Sequence, residues 1–354
     1  MRPRVATSLE DKLLQRAVVE VLNAIYETDF LGLSHGFRPG RSPHDALDAL
    51  AVGLRRKRVN WVLDADFREF FTSLDHQWLM RFLEHRIADR RVLRLIGKWL
   101  AAGVIEKGSW TQYEEGVPQG ASVSPLLANV YLHYVFDLWA HQWRQRHARG
   151  DVMIVRFADD FVMGFEHRDD AERFWAELRD RLAQFSLELN AEKTRLIEFG
   201  RFAARKRKAR GLGKPETFRF LGFTHICGTS RSGHFKPLRI TDSKRMRAKL
   251  SALKGKIERR RHLPIPEQGR WLASVLRGHA NYYGVPGNQR ALYAFRSEAV
   301  RLWFMALRRR SQRTPETWER MRRFRARWLP FLTITHPGPD ARFDARTQGR
   351  SPVR

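Results

Sequence analysis

Two short apolar runs, Met153-Ile154-Val155 and Phe161-Val162-Met163, flank the segment Phe157-Ala158-Asp159-Asp160. Runs of this kind read as buried strands, and the few residues between them leave room only for a hairpin turn. Two-residue hairpin turns ordinarily use Asn-Gly or another glycine, because the favoured turns need positive φ. This turn has no glycine. A tight turn that breaks the local rule points to function, since backbone strain collects at functional sites. Its adjacent aspartates repel each other unless a cation neutralises them. Upstream, Trp61-Val62-Leu63-Asp64-Ala65-Asp66 reads as a strand with Val62, Asp64 and Asp66 on one face. With Asp66 brought alongside, three carboxylates can hold Mg²⁺, a hard cation that prefers oxygen ligands and substrate phosphates. Two such ions about 3.5–4 Å apart suit the attack of a 3′-hydroxyl and the departure of pyrophosphate. Taken alone, the Asp-Asp pair is equally compatible with an ordinary acidic surface turn.

Charge narrows the choice. Sixty-six Lys and Arg against 38 Asp and Glu give a formal net charge of +28. A folded protein this basic needs a polyanionic partner or is destabilised by self-repulsion. Nucleic acid comes first, because neutralising phosphates releases condensed counterions. A merely basic solvated surface is the bland alternative. No apolar run approaches the roughly 20 residues that cross a bilayer, so a membrane partner is not expected. The N-terminus lacks the apolar segment of a secretion signal. The single cysteine, Cys227, rules out an internal disulfide and fits a cytoplasmic location. His225, Cys227 and His234 lie close together, but no further pair completes a zinc site, and they read as ordinary strand and loop residues.

Helical spacing runs through Leu13, Ala17, Val21 and Ile25, resumes from His44 to Leu54, and recurs around Leu79–Leu83 and Leu93–Leu100. Ser124-Pro125 reads as an N-cap followed by proline at the first helical position. Leu126, Val130, Tyr134 and Leu138 mark the buried stripe that follows. Another helix spans Ala171 to Leu182, then a short strand at Leu187–Leu189. Strands and helices in this order predict an α+β fold, a palm-like sheet backed by helices. Arg201, Arg205, Lys206, Arg207, Lys208 and Arg210 read as a basic loop. Beyond Lys244 the pattern is helical and cationic, which sets a domain boundary between about 225 and 245.

At this point a resemblance becomes specific. Gly36-Phe37-Arg38-Pro39-Gly40-Arg41-Ser42, Leu63-Asp64-Ala65-Asp66 with Phe70-Phe71, and Gly116-Val117-Pro118-Gln119-Gly120 are its first segments. Phe157-Ala158-Asp159-Asp160, Leu189-Asn190-Ala191-Glu192-Lys193-Thr194 and Phe220-Leu221-Gly222-Phe223 continue it, and Arg277-Gly278-His279-Ala280-Asn281-Tyr282-Tyr283 completes it. In this order they resemble group II intron-encoded reverse transcriptases, or maturases, over nearly the whole chain. The resemblance implies a right-hand polymerase palm with partial fingers over residues 1–225, a linker at 226–245, an all-helical basic thumb or maturase domain at 246–330 and a basic tail at 331–354. It also implies an RNA-directed DNA polymerase with two Mg²⁺ ions, held by Asp66, Asp159 and Asp160. Asp64 shares a face with Asp66, and only the motif position selects Asp66. Lys193 matches a lysine placed near the triphosphate, suited to donate a proton to pyrophosphate. Phe71 matches a steric gate whose ring excludes a ribose 2′-hydroxyl. Gln119, Gly120, Arg38 and Arg41 match template and nucleotide contacts. Arg277, Tyr282, Tyr283, Arg308 and Arg309 are the expected RNA contacts, by phosphate pairing and base stacking, with core packing equally open to each single aromatic.

The implied partners are intron RNA, an RNA template with a DNA primer, deoxynucleoside triphosphates and target DNA, in a cytoplasmic ribonucleoprotein associated with the nucleoid when it acts on DNA. The chain departs from the family pattern in places. The segment before Arg2-Pro3 that usually supplies the fingers is not present, Thr72 replaces an aspartate, and Phe157 stands where tyrosine is commoner. No HNH or cysteine-rich endonuclease signature occurs, so DNA cleavage is not expected. Two rival readings follow: a maturase that folds intron RNA without polymerising, and a reverse transcriptase recruited to host defence.

Overall fold

Periodic apolar spacing produces the helices at the start of the chain. In the computed structural model, which describes residues 8–101, 104–106, 109–111, 116, 121–230, 232–310 and 317–347, α1 (Leu9–Tyr26) begins at Ser8. The Ser8 hydroxyl accepts from the Asp11 amide, and the helix buries Val19, Leu22 and Tyr26. α2 (Pro43–Arg56) starts with a capping box in which Ser42 and Asp45 satisfy each other's backbone amides. There follow β1 (Trp61–Asp66), a 3₁₀ turn at Phe70–Thr72, α3 (His76–Glu84), α4 (Arg90–Ala101) and a hairpin of β2 (Val104–Glu106) with β3 (Ser109–Thr111). α5 (Ser124–Leu132) runs through a π-helical turn at His133–Asp137 into α6 (Leu138–Arg146). Ser124 is the first helical residue and Val123 the cap, one position earlier than the sequence suggests.

The Asp-Asp turn joins β4 (Val152–Phe157) to β5 (Asp160–Phe165), and α7 (Arg168–Ala183) leads to β6 (Arg195–Glu198). These strands form an antiparallel sheet in the order β4-β5-β1-β6. Leu63, Ile154, Phe161, Met163 and Phe165 from the sheet join Leu79, Phe82, Leu127, Tyr131, Phe136 and Phe174 from the helices in one core. α2 lies against β4, and α7 against β1 and β5. Leu189, expected in a strand, makes only an isolated bridge to Phe67. The expected basic loop contains α8 (Ala203–Ala209), where Ala203 is the one buried residue.

The chain divides into two units, Met1–Glu216 with Phe343–Arg354, and Thr217–Arg342. The fold is α+β, with a palm-type sheet in the first unit. In the second, β7 (Phe218–Phe220), β8 (Phe223–Thr229) and β9 (Phe235–Thr241) form an antiparallel sheet, so residues 226–245 are not the linker expected of them. The reason lies in which face is buried: His225, Pro237, Arg239 and Thr241 point inward, so the strands do not show an apolar inner face. Helices α9 (Ser243–Arg260), α10 (Ile265–Tyr283), α11 (Gln289–Arg308) and α12 (Trp318–Trp328) follow among the described residues. Asp242 caps α9, and the Trp303 indole donates to Gln268 at 2.9 Å inside the helical core. In α13 (Pro339–Thr347), Asp344 pairs with Arg56, and Arg346 with Asp45.

Candidate active site

Strand register decides which carboxylates meet. β1 and β5 place Asp66 directly opposite Asp160, whereas Asp64 faces Val162 on one side and Arg195 on the other. Opposed residues of antiparallel strands have Cα atoms roughly 4.5–5.5 Å apart and side chains on one face. The structure therefore separates the two aspartates that the sequence left equivalent. Asp64 is paired with the Arg195 guanidinium at 3.3 Å. Phe157 and Asp160 close the hairpin, and Ala158 between them has φ +56. A residue with a Cβ costs about 1–2 kcal/mol in that region. Asp159 occupies the other turn position.

Lys193 reaches the same carboxylates from the loop before β6. The Asn190 amide donates to the Asp66 carbonyl at 2.8 Å, and the Asn190 side chain accepts from the amides of Glu192 and Lys193. This turn holds the Lys193 ammonium on the Asp66 carboxylate, with the lysine side chain still 64% exposed. The bond to Asp66 raises the Lys193 pKa most; partial burial opposes it, and the charges of Asp66, Asp160 and Asp159 add to it. Lys193 is therefore firmly protonated at neutral pH.

Gly36 abuts the turn so closely that a Cβ there would lie 2.3 Å from the Ala158 nitrogen. Only glycine permits that approach. Its neighbour Phe37, with φ +57 and 56% exposed, stands with its ring 6.4 Å from that of Phe157. Phe71 sits in the 3₁₀ turn four residues after Phe67, half-buried and edge-on to Phe70 at 5.3 Å. Gly116, with φ +93, lies against the backbone of Phe71 and Thr72. Gln119 and Gly120 lie outside the described residues.

Arg38 does not have the role expected for it. All of its nitrogens are engaged within the protein: Nε and Nη2 grip the Glu27 carboxylate at 2.8–3.2 Å, Nη1 donates to the carbonyls of Leu31 and Ser34, and Nη2 also reaches that of Phe30. A guanidinium with its donors spent and its side chain 2% exposed is a staple for the loop rather than a phosphate ligand. Arg41 is half-buried, and its Nη1 holds the carbonyls of Gly32 and Ser34. Burial, then the nearby Arg38 charge, lowers its pKa to about 10. In the second unit, Tyr283 is buried, and Tyr282 stacks on Phe223 and donates its hydroxyl to the Leu221 carbonyl at 2.8 Å. Both tyrosines hold the β7–β8 turn, which leaves Arg277, Arg308 and Arg309 as the exposed members of the expected RNA-contacting set. Gly36 and Asn190 stand in the matching segments without a role assigned from the sequence, and Asn129, Asp137 and Arg156 were not singled out there. The one available signal was an arginine inside the otherwise apolar run Val152–Phe157.

Residues 1–225 match the reverse transcriptase (RNA-dependent DNA polymerase) family. The chain belongs to that family. The chain is 30% identical to the protein YkfC of Escherichia coli over 291 residues, 73% of this chain and 72% of that one. It is 41% identical to the group II intron-encoded protein LtrA of Lactococcus lactis over 133 residues, 38% of this chain but 22% of LtrA. Among solved structures it is loosely similar to apo telomerase from Candida tropicalis, with a TM-score of 0.47 and 12% identity over 88% of this chain and 56% of that one.

Proposed function

We propose that this reverse transcriptase extends a DNA 3′ end on an RNA template, with deoxynucleoside triphosphates and Mg²⁺, and that it acts with a group II intron RNA. The observation that carries the reading is the direct opposition of Asp66 and Asp160 beside a strained turn bearing Asp159.

The donors suit the metal. The site offers carboxylate oxygens without cysteine or histidine, and a cation, the Lys193 ammonium, already stands against them. Among the described residues no three His, Cys, Asp or Glu side chains form a ready cage. Mg²⁺ does not ask for one, since it is commonly held by one or two carboxylates with water and substrate phosphates. Asp66, Asp159 and Asp160 would hold it, and the bound ions would neutralise charge developing on the attacking and leaving oxygens. Lys193, protonated and on an exposed loop, would give a proton to the departing pyrophosphate. Phe71 would lie under the incoming sugar, where its ring leaves no room for a 2′-hydroxyl. The exposed Arg277, Arg308 and Arg309 suit contacts with RNA phosphates.

Asp159→Ala is expected to abolish primer extension while leaving affinity for RNA within about twofold, because one acidic turn residue contributes little to phosphate binding. Undiminished synthesis by that variant would refute the assignment.

A further inference from the structure

Behind the Asp-Asp turn lies a charged cluster that polymerisation does not itself use. Arg156, the last residue but one of β4, has no exposed side-chain surface, and neither does its partner Asp137. The guanidinium donates from Nε to Asp137 Oδ1 at 2.7 Å and from Nη2 to Oδ2 at 2.5 Å. Its Nη1 donates in two directions, to Asn129 Oδ1 at 3.0 Å and to the Ala158 carbonyl at 2.9 Å. Asn129 in turn donates from Nδ2 to the Gly36 carbonyl at 2.7 Å. The Arg156 backbone completes the arrangement, accepting from the His35 amide and donating to the Leu33 carbonyl, both at 2.9 Å.

A buried ion pair is weak evidence of stabilisation, since a well-packed apolar pair of similar volume often stabilises as much or more. What this pair does is geometric. The Ala158 carbonyl belongs to the peptide that enters Asp159, so a bond to it fixes the plane from which the Asp159 side chain departs. Gly36 closes on the other side, against the Ala158 nitrogen. The strained turn is thus held at two of its three peptides, at one by a charged donor and at the other by steric contact. Asp137 ends the π-helical turn between α5 and α6, and such an irregular turn inside a helix frequently accompanies a functional site.

We propose that Arg156, oriented by Asp137 and Asn129, is a positioning residue that sets the Asp159 and Asp160 carboxylates for metal and substrate. The inference rests on the reading of those carboxylates as the polymerase site. Groups that orient metal-holding side chains typically carry about 10–100-fold in affinity or activity.

The test uses the full chain with Arg156→Lys and Asn129→Ala. Lysine keeps a buried positive charge for Asp137 but cannot reach Asp137, Asn129 and Ala158 together. Alanine at 129 cuts the link to Gly36 without stranding a charge. Two readouts are taken: single-turnover primer extension at saturating deoxynucleotide, and binding of Mn²⁺ to the free protein, followed by loss of its electron paramagnetic resonance signal. Both variants are expected to lose about 10–100-fold in rate and to need several-fold more Mn²⁺ for half-saturation, with RNA affinity unchanged. Wild-type rate and wild-type Mn²⁺ affinity in folded Asn129→Ala would overturn the proposal, and so would a rate loss that disappears at temperatures where the variant is fully folded. If Arg156→Lys does not fold, Asn129→Ala decides by the same two readouts. Wild-type protein that binds Mn²⁺ but extends no primer refutes the polymerase reading alone, and the Mn²⁺ titration then still judges the positioning role. Wild-type protein that does neither refutes both.

Discussion

Replacing Gly36 with alanine probes the seam between the Gly36–Ser42 loop and the acidic turn. The added Cβ would meet the Ala158 nitrogen at 2.3 Å, the Phe157 carbonyl carbon at 3.0 Å and the Ala158 Cα at 3.1 Å. All three are backbone atoms, so no rotamer change relieves the contact. Loop and turn must separate by roughly 0.7 Å to reach a tolerable distance. Three hydrogen bonds anchor the chain on either side of that seam: His35 to Arg156, Arg156 to Leu33, and Asn129 of α5 to Gly36. Each contributes about 1 kcal/mol, so stretching them together should cost about 2–3 kcal/mol of stability. A reacting group displaced by about 1 Å can cost 10²-fold in rate. The assays are urea unfolding followed by tryptophan fluorescence, and single-turnover primer extension at a temperature where the variant is folded. Gly97→Ala serves as the control, since nothing lies within 4 Å of a Cβ there and the residue sits inside α4. It should gain about 0.5–1 kcal/mol, the difference in helix propensity. A Gly36→Ala protein with unchanged stability and rate would refute the reasoning about this seam.

Arg38→Gln should destabilise the first unit by about 3 kcal/mol, the usual cost of breaking a buried pair, while RNA affinity measured on folded protein stays unchanged. A selective loss of nucleotide or RNA binding without loss of stability would restore the ligand role that the geometry denies it. Acid should also destabilise the chain through its buried histidines. Burial lowers His35, His225 and His279 to about 3, so each is neutral when folded and takes up a proton near pH 6.5 when unfolded. Their contribution is present above about 6.5 and is lost as pH falls, by roughly 1 kcal/mol per histidine between pH 7 and 5.5. Urea midpoints at those two values test this, and a midpoint that holds steady or rises in acid contradicts it.

β1, β4 and β5 were legible because short apolar runs mark them, whereas β6 was not, since Arg195 and Glu198 leave only Leu196 and Ile197 between them and the strand was expected at Leu187–Leu189. β1 follows from Trp61–Asp66, and the β4–β5 pair from Met153–Glu166. The pairing of Asp66 with Asp160, by contrast, needed the register, which alternation cannot supply when Asp64 shares the same face. β8 and β9 were hidden because their inward residues include His225, Arg239 and Thr241, and α8 because a helix that buries only Ala203 has no apolar stripe. Arg38 and Arg156 show the limit of reading charge from sequence. Arg38, in a Gly- and Pro-rich loop, looks like a ligand contact until its donors are traced to internal acceptors, and Arg156, beside the acidic motif, gives no sign in the sequence that its donors reach Asp137 and Ala158. Tyr283, an aromatic among cations, takes the core position that the sequence left open to it.

The central claim is that opposed Asp66 and Asp160, with Asp159 in the turn, form a polymerase site. The most direct measurement is incorporation of a single deoxynucleotide into a DNA primer annealed to RNA, by purified protein, as Mg²⁺ is titrated. Mg²⁺-dependent extension by one nucleotide is expected, absent when a chelator removes the metal. No extension at any Mg²⁺ concentration, from protein that is folded and bound to the primer–template, would contradict it.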